Sequence, residues 1–314
     1  MSQHITILIP VFNDTASLKQ LLNEIHTILK EIKQYTFSIL IINDASTEEI
    51  NLIPAQCFPV KILNLQRNIG HQKAITIGMA YIKENCVTDK VLVMDCDGED
   101  RPEDALQLIN NSDTHPDKII FAMRKSRNEG SRFRFFYKLY KLLFRILTGR
   151  QISFGNFFLM PKSILDKVVY YSEIWNHVAG GILKTNLPYF SIITHRGKRY
   201  HGSSKMDFNS LLIHGLGAIS VFIEVIASRL LVFSLFLIST SLVAIFILLG
   251  VRTFTDLAIP GWTSTVVSAM LIVLLQSFLL SLFTIFLYLS SQSQRKFIPA
   301  LHYHDYTGHV VTIE

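Results

Sequence analysis

Cysteine is scarce in this 314-residue chain: Cys57, Cys86 and Cys96 are odd in number, far apart and never in C-x-x-C spacing. They neither staple a small secreted domain nor supply a zinc site, which favours a reducing cytosolic setting. The opening residues, 1–9, lack a basic stretch leading into an apolar one, so no secretory signal is expected. Repeats and low-complexity tracts are missing as well. The most telling lack is of charge near the C-terminus. Residues 230–251 contain no charged side chain, and neither do residues 257–294. Each run exceeds the roughly 20 residues needed to cross the hydrocarbon core of a bilayer. Neither shows the polar stripe that a soluble helical hairpin would carry.

What is present divides along the chain. The net charge is +6 and the mean hydropathy +0.33, the latter raised by the two apolar runs. Lys205 and Arg229 precede the pair and Arg295 and Lys296 follow it, whereas the connecting loop holds one Arg and one Asp. By the positive-inside rule both flanks are expected in the cytoplasm, giving a multi-pass membrane protein with its soluble part and both termini on that side. Ahead of the runs, residues 5–9, 37–42, 60–65, 91–94 and 118–122 are short β-rich apolar stretches. Residues 18–32 and 72–82 place apolar side chains at helical spacing, and Pro102 with Glu103 can open a further helix. Strand–helix alternation predicts an α/β fold whose mostly parallel sheet binds ligands beyond its strand C-termini. Polar clusters fall at those ends: Asn13–Asp14, Asn43–Asp44, Arg67–Asn68 and Asp95 to Asp97.

The sharpest chemical feature is the D-x-D of Asp95, Cys96 and Asp97, followed by Gly98, Glu99 and Asp100. Carboxylates at a strand's mouth are hard oxygen ligands suited to Mg²⁺ or Mn²⁺, which keep waters and bridge substrate phosphates. An acidic turn after a strand is also a common solvated feature, so the pattern needs its neighbours. Asn13 and Asp44 are residue types that cap helices and shape turns, and both roles coexist at a strand end.

Four segments, read in order, resemble glycosyltransferase family 2. Pro10, Phe12, Asn13 and Asp14 match its P-x-Y/F-N-E opening, and Asn43 to Thr47 its N-D-G/A-S-T-D segment. Arg67, Asn68, Gly70 and Ala74 follow its S-R-N-x-G-x-x-x-A loop, and Asp95 to Glu103 its D-A-D-L-Q-D-P-P-E stretch. With the terminal spans, the chain resembles the polyprenyl-phosphate glycosyltransferases of the dolichol-phosphate mannose synthase type. The resemblance implies a GT-A fold, a UDP- or GDP-sugar donor, and an inverting transfer onto a polyprenyl phosphate, undecaprenyl phosphate in a bacterial host. By the same resemblance Pro10, Phe12, Asn13, Asp14, Asp44, Ser46, Asn68, Gly70, Lys73, Asp95, Cys96 and Asp97 border the donor. Asp95, Asp97 and Glu99 (where the family has Gln) would hold the Mg²⁺ or Mn²⁺.

Arg124 and Arg127 come next, as guanidinium forks that match phosphate oxygens. Arg134, Lys138, Lys141 and Arg145 then share one face of a predicted helix over 132–147 whose other face is Phe and Leu. Such a helix suits a membrane interface. Asn156 aligns with a position where the family commonly has an acid, and Phe158 replaces its Arg. A phosphate acceptor is largely ionised near neutral pH, its second pKa being about 6. It needs placement more than deprotonation, so Asn156 is read as altering acceptor binding. Arg134, Ser204 and Lys205 complete the expected acceptor-phosphate set, the last two within a stretch similar to the family's R-x-x-G-x-S-K-Y.

The expected organisation is a catalytic domain over 1–228 with interfacial helices at about 132–147 and 205–228, spans at about 230–251 and 262–289, and a cytosolic tail over 295–314. Two other readings stay open: a catalytically silent membrane adaptor, and a polysaccharide synthase acting on a hydroxyl. The second lacks its Q-x-x-R-W motif, since Trp175 has no preceding Gln and Arg. Nucleic acid is not an expected partner, because the basic residues gather beside membrane elements and form no recognised module. Gly215 and Gly217 permit the close packing of a homo-oligomer.

Overall fold

A computed structural model describes residues 2–50, 58–124, 131–150, 155–202, 208–255 and 261–313. The chain forms two compact units. One gathers residues 1–141, 151–221 and 296–314; the other gathers residues 142–150 and 222–295.

The first unit is a sheet covered by helices. In chain order it runs β1 (Gln3–Val11), α1 (Thr15–Leu29), β2 (Tyr35–Asn43), β3 (Val60–Leu65), α2 (His71–Asn85), β4 (Lys90–Val93), α3 (Pro102–Thr114) and β5 (Ile119–Arg124). After α4 (Ser131–Thr148), which runs on into the second unit, come β6 (Phe158–Pro161), α5 (Lys162–Val168), a 3-10 turn at Ser172–Trp175, α6 (Val178–Lys184), β7 (Tyr189–Thr194) and α7 (Phe208–Ser220). The strand order is β7-β5-β6-β4-β1-β2-β3-β8, where β8 (Thr307–Ile313) is the last element of the chain. β1 lies between β2 and β4 and is parallel to both, with Ile7 level with Ile39 and Leu92. Ile5, Ile7, Leu8 and Ile9 are fully buried, as befits a central strand covered on both faces.

α1 lies on this sheet because Leu18, Leu21, Leu22, Ile25 and Leu29 recur at helical spacing and are all buried. Each such side chain contributes about 1.5–3 kcal/mol by leaving water. α2 approaches β1 and β2 so closely that a Cβ on Gly78 would stand 2.8 Å from Ile42 Cγ1. α3 opens on Pro102 as predicted, with Glu103 and Asp104 in its first turn complementing the helix dipole.

The parallel pairings of β1 to β4 and of β5 with β7 agree with the mostly parallel sheet expected, and three features go beyond the sequence prediction. The sheet is mixed, since β6 runs antiparallel to β4 and β5, and β8 antiparallel to β3. Neither β6 nor β7 is marked by a long apolar run. Residues 295–314 are predicted as a tail, yet they supply a short helix, α10 (Pro299–His302), and the edge strand β8. Tyr303 within that stretch is buried, and His309 meets Asn64 at 3.1 Å rather than decorating a free extension.

The second unit is a helical hairpin, α8 (Ile223–Phe254) and α9 (Trp262–Ser293), packed together with the end of α4. Both helices are long and apolar enough to cross a membrane. Each has 32 residues, so at about 1.5 Å per residue it is longer than the ~30 Å hydrocarbon core of a bilayer. They extend beyond the charge-free runs to take in Glu224, Arg229 and Arg252. The residues buried between them include Ser234, Ser241, Ser277, Ser281 and Thr284, and Ser281 Oγ donates to Ser234 Oγ at 2.7 Å. Small hydroxyl residues allow close backbone approach in lipid, while Phe233, Phe236, Phe246 and Phe286 face outward. Within this unit Arg229 donates to the carbonyl of Ile146, and Phe144 stands edge-on to Phe222.

Candidate active site

Parallel strands β1 to β4 end on one edge, and each passes into one of the polar segments singled out in the sequence. After β1 the chain turns through Asn13, whose φ of +50° is a left-handed conformation that Asn tolerates. Its Oδ1 accepts from the backbone N–H of Thr47 at 2.8 Å, and its own N–H donates to Ser46 Oγ at 3.0 Å. The loops after β1 and β2 are thereby tied together. Phe12 is 43% exposed beside this joint, Pro10 is buried near the end of β1, and Asp14 precedes α1 without capping it through its side chain.

Asp44 performs the same service for the loop after β3. It is 2% exposed, and its two oxygens accept from the N–H groups of Ile69 at 2.8 Å and Gly70 at 2.9 Å. Burial pushes its carboxyl above the usual range, against the pull of those two N–H groups. Gly70 adopts φ +89° with open space around it, at the start of α2. Asn68 is exposed on the loop, and Lys73 lies within the first turn of α2.

The D-x-D turn follows β4. Asp100 folds back to accept from the N–H of Asp95 at 3.0 Å, and Asp97 accepts from the N–H of Glu99 at 2.9 Å. Gly98 makes the bend at φ +87°. Cys96 is buried, and burial together with Asp14, Asp95 and Asp97 pushes its thiol far up, so it stays protonated and inert. His71, at the start of α2, stands 3.1 Å from Asp95. Burial would lower the His71 pKa, but Asp95, with Asp100 and Asp97 beyond, raises it above the ordinary imidazole value.

A segment distant in sequence lies across this turn. Gly197 donates its N–H to Glu99 O and Tyr200 to Asp97 O, both at 2.9 Å. Arg196 pairs with Glu99 at 2.7 Å and Arg199 with Asp97 at 2.5 Å. A Cβ on Gly98 would stand 2.7 Å from the Tyr200 ring, so the turn requires glycine for space as well as for φ. Burial first, then Asp95 and Glu99, holds the Asp97 carboxyl above its usual range despite Arg199. Among the described residues no three Asp, Glu, His or Cys side chains converge as a ligand set. Asp95 and Asp97 offer the hard oxygens that a phosphate-bridging cation takes as one or two protein ligands. Glu99 pairs with Arg196 just as Asp97 pairs with Arg199.

The remaining predicted residues divide by place. The antiparallel register of Val93 with Phe158 carries Asn156 to the level of Asp95 on the same edge, and its Oδ1 is buried without a hydrogen-bond partner among the described residues. Arg124 ends β5 and Arg134 lies in α4. Arg127, Ser204 and Lys205 lie outside the described residues. His71, Arg196, Arg199 and Tyr200 escape prediction as site residues. His71 and Arg199 stand within the quoted motifs, but only the fold shows which carboxylate each one meets.

A mixed sheet of this order with its polar loops at the carboxyl edge is a GT-A-like, Rossmann-type fold. Glucosyl-3-phosphoglycerate synthase from Mycobacterium tuberculosis, solved with Mn²⁺, uridine-diphosphate-glucose and phosphoglyceric acid, shares it at a TM-score of 0.53. That match has 12% identity and covers 71% of this chain and 80% of that one. The sequence profile described as Glycosyl transferase family 2 matches residues 6–174, and the chain belongs to that family of glycosyltransferases. Among relatives, the uncharacterized glycosyltransferase YkcC of Bacillus subtilis is 28% identical over 86% of this chain and 85% of its own length. The undecaprenyl-phosphate 4-deoxy-4-formamido-L-arabinose transferase of Pseudomonas fluorescens is 27% identical over 65% of this chain and 60% of its own.

Proposed function

We propose that this chain transfers a sugar, with inversion, from a UDP- or GDP-sugar to a polyprenyl phosphate at the cytoplasmic face of a membrane. The observation that carries the reading is the convergence of four loops, after β1 to β4, on one sheet edge that also holds the Asn156 side-chain Oδ1, unpartnered among the described residues. The undecaprenyl-phosphate transferases among the relatives and the long apolar hairpin support a lipid acceptor. The basic residues flanking the hairpin support the cytoplasmic side. On α4, Leu139, Leu142, Leu143 and Ile146 are each more than two-fifths exposed, which supports an interfacial helix.

In this reading the loops at Asn13, Asp44, Ser46 and Asn68 to Lys73 border the nucleotide, with Asp44 acting by holding the Ile69–Gly70 backbone. Asp95 and Asp97, with Glu99 beside them, would hold Mg²⁺ or Mn²⁺, which would neutralise charge gathering on the departing nucleoside diphosphate. Arg196 and Arg199 keep Glu99 and Asp97 oriented. Arg124, Arg127, Arg134, Ser204 and Lys205 are assigned to phosphate groups of donor and acceptor. Asn156 positions an acceptor phosphate that is already ionised and needs no base.

The test is transfer of radiolabel from a panel of UDP- and GDP-sugars into an organic-extractable, mild-acid-labile lipid, with divalent ion added or chelated. Asp97→Ala is expected to abolish the product, and wild-type transfer by that variant would refute the metal assignment.

A further inference from the structure

The stretch that follows α9 returns to the sheet-bearing unit and is fastened there at several points. Ala300 donates its N–H to Val169 O at 3.0 Å. The Tyr303 ring is 1% exposed and edge-on to Tyr81, and its hydroxyl accepts from Asn85 at 2.9 Å. Farther along, β8 pairs with β3. Between these anchors Phe297 and Tyr306 close on Trp175, with ring centroids 3.9 and 5.2 Å from the indole.

This three-ring cluster holds the loop between β3 and α2 and the first turn of α2. Lys73 Nζ lies 5.2 Å from the Trp175 ring centre, and the Arg67 guanidinium 5.5 Å from that of Tyr306. Gln66 donates its backbone N–H to Tyr306 O at 3.0 Å and its side-chain amide to Thr307 O at 3.1 Å. Among the described residues neither Arg67 nor Lys73 is paired with a carboxylate, so the ring faces are what position the two cations. Asp44 holds Ile69 and Gly70 in the middle of the same loop. Rings, peptide groups and one carboxylate thus fix residues 66–73 from both sides.

We infer that Trp175, Phe297 and Tyr306 form a positioning clamp that sets Arg67 and Lys73 for the anionic diphosphate of the donor. None of the three rings needs to touch the donor. The inference rests on the reading of residues 66–73 as part of the donor pocket. It assigns the stretch after the membrane hairpin to nucleotide affinity, where a tail or a mere sheet edge would have no such role.

The experiment measures calorimetric binding of UDP and GDP to the full-length chain in detergent, with Mn²⁺ present. Tyr306→Leu keeps apolar bulk but removes the ring, and it is expected to weaken binding about 3- to 30-fold, the span of one lost ring–cation contact, at unchanged melting temperature. Tyr306→Phe keeps the ring and should bind as the wild type does. Phe297→Leu should weaken binding in the same direction, and kcat at saturating donor should hold for all three variants. Lys73→Ala tests the pocket itself. If Lys73→Ala weakens binding while Tyr306→Leu and Phe297→Leu do not, the clamp is wrong and the donor pocket stands. If Lys73→Ala has no effect, or if neither nucleotide binds the wild type, the pocket reading falls and the clamp with it.

Discussion

Asp44 shows how much one side chain does at this edge. Its two oxygens satisfy two backbone N–H groups that would otherwise be left unpaired beside a buried carboxylate. Leaving such a donor unpaired costs about 1–3 kcal/mol. Asp44→Ala should therefore lower the melting temperature and weaken donor binding together, while Asp44→Asn, with one acceptor oxygen, should fall between. Thermal unfolding and nucleotide titration on the same samples check both. A second residue-scale outcome concerns Asp113. Burial would raise its carboxyl, but hydrogen bonds from Tyr35 and Lys90 overcome this and hold it below the usual carboxylate range. A carboxyl lowered in the folded state contributes stability above its unfolded pKa of about 3.9, and that contribution is lost as pH falls through the folded value. Melting temperature followed from pH 7 to 3 should drop less steeply for Asp113→Asn than for the wild type.

At the scale of elements, the closest constraint is α2 against β1 and β2. Gly78 leaves no room for a side chain, and Gly78→Val should destabilise by about 1–3 kcal/mol or more through overpacking. Its melting curve should shift down with the far-ultraviolet spectrum of the folded state retained. The parallel strands β1 to β4 were legible because each is a short apolar run stopped by Asn, Asp or Gly, and α1 because its leucines keep helical spacing. The place of Asp95 and Asp97 at the mouth of β4 was legible because an apolar run stops there on a D-x-D. β8 was not, since Thr307–Ile313 is mostly exposed and finds its partner only through a neighbour far away in the chain. Arg196 and Arg199 were visible as basic residues, but their pairing with the D-x-D turn depends on where β7 delivers the chain. The aromatic cluster gave no local signal at all, because its three rings come from two separated segments.

On the scale of the whole molecule, the hairpin is inserted into the chain of the sheet-bearing unit, which both precedes and follows it. On the proposed two crossings the chain would return to the side from which it left, so tags at the N- and C-termini should be accessible from one face of sealed vesicles. A tag placed in the loop between α8 and α9 should be accessible only from the other. Protease protection of the three tags measures this directly, and opposite exposure of the two termini would contradict two crossings. Salt washes should leave the protein in the membrane fraction, because the outward Phe and Leu side chains of α8 and α9 give an attachment that screening does not weaken.

The position of β8 also has a consequence for biosynthesis. Gln66 and its partner Thr307 are 241 positions apart, and everything between them must leave the ribosome before they meet. At about 5–20 residues per second that is roughly 12–50 s, during which β3 presents a bare ladder edge of the kind that recruits stray strands. The nascent chain can seal that edge only after its two long apolar helices have been synthesised. Completion of the sheet thus waits on synthesis of the helical hairpin.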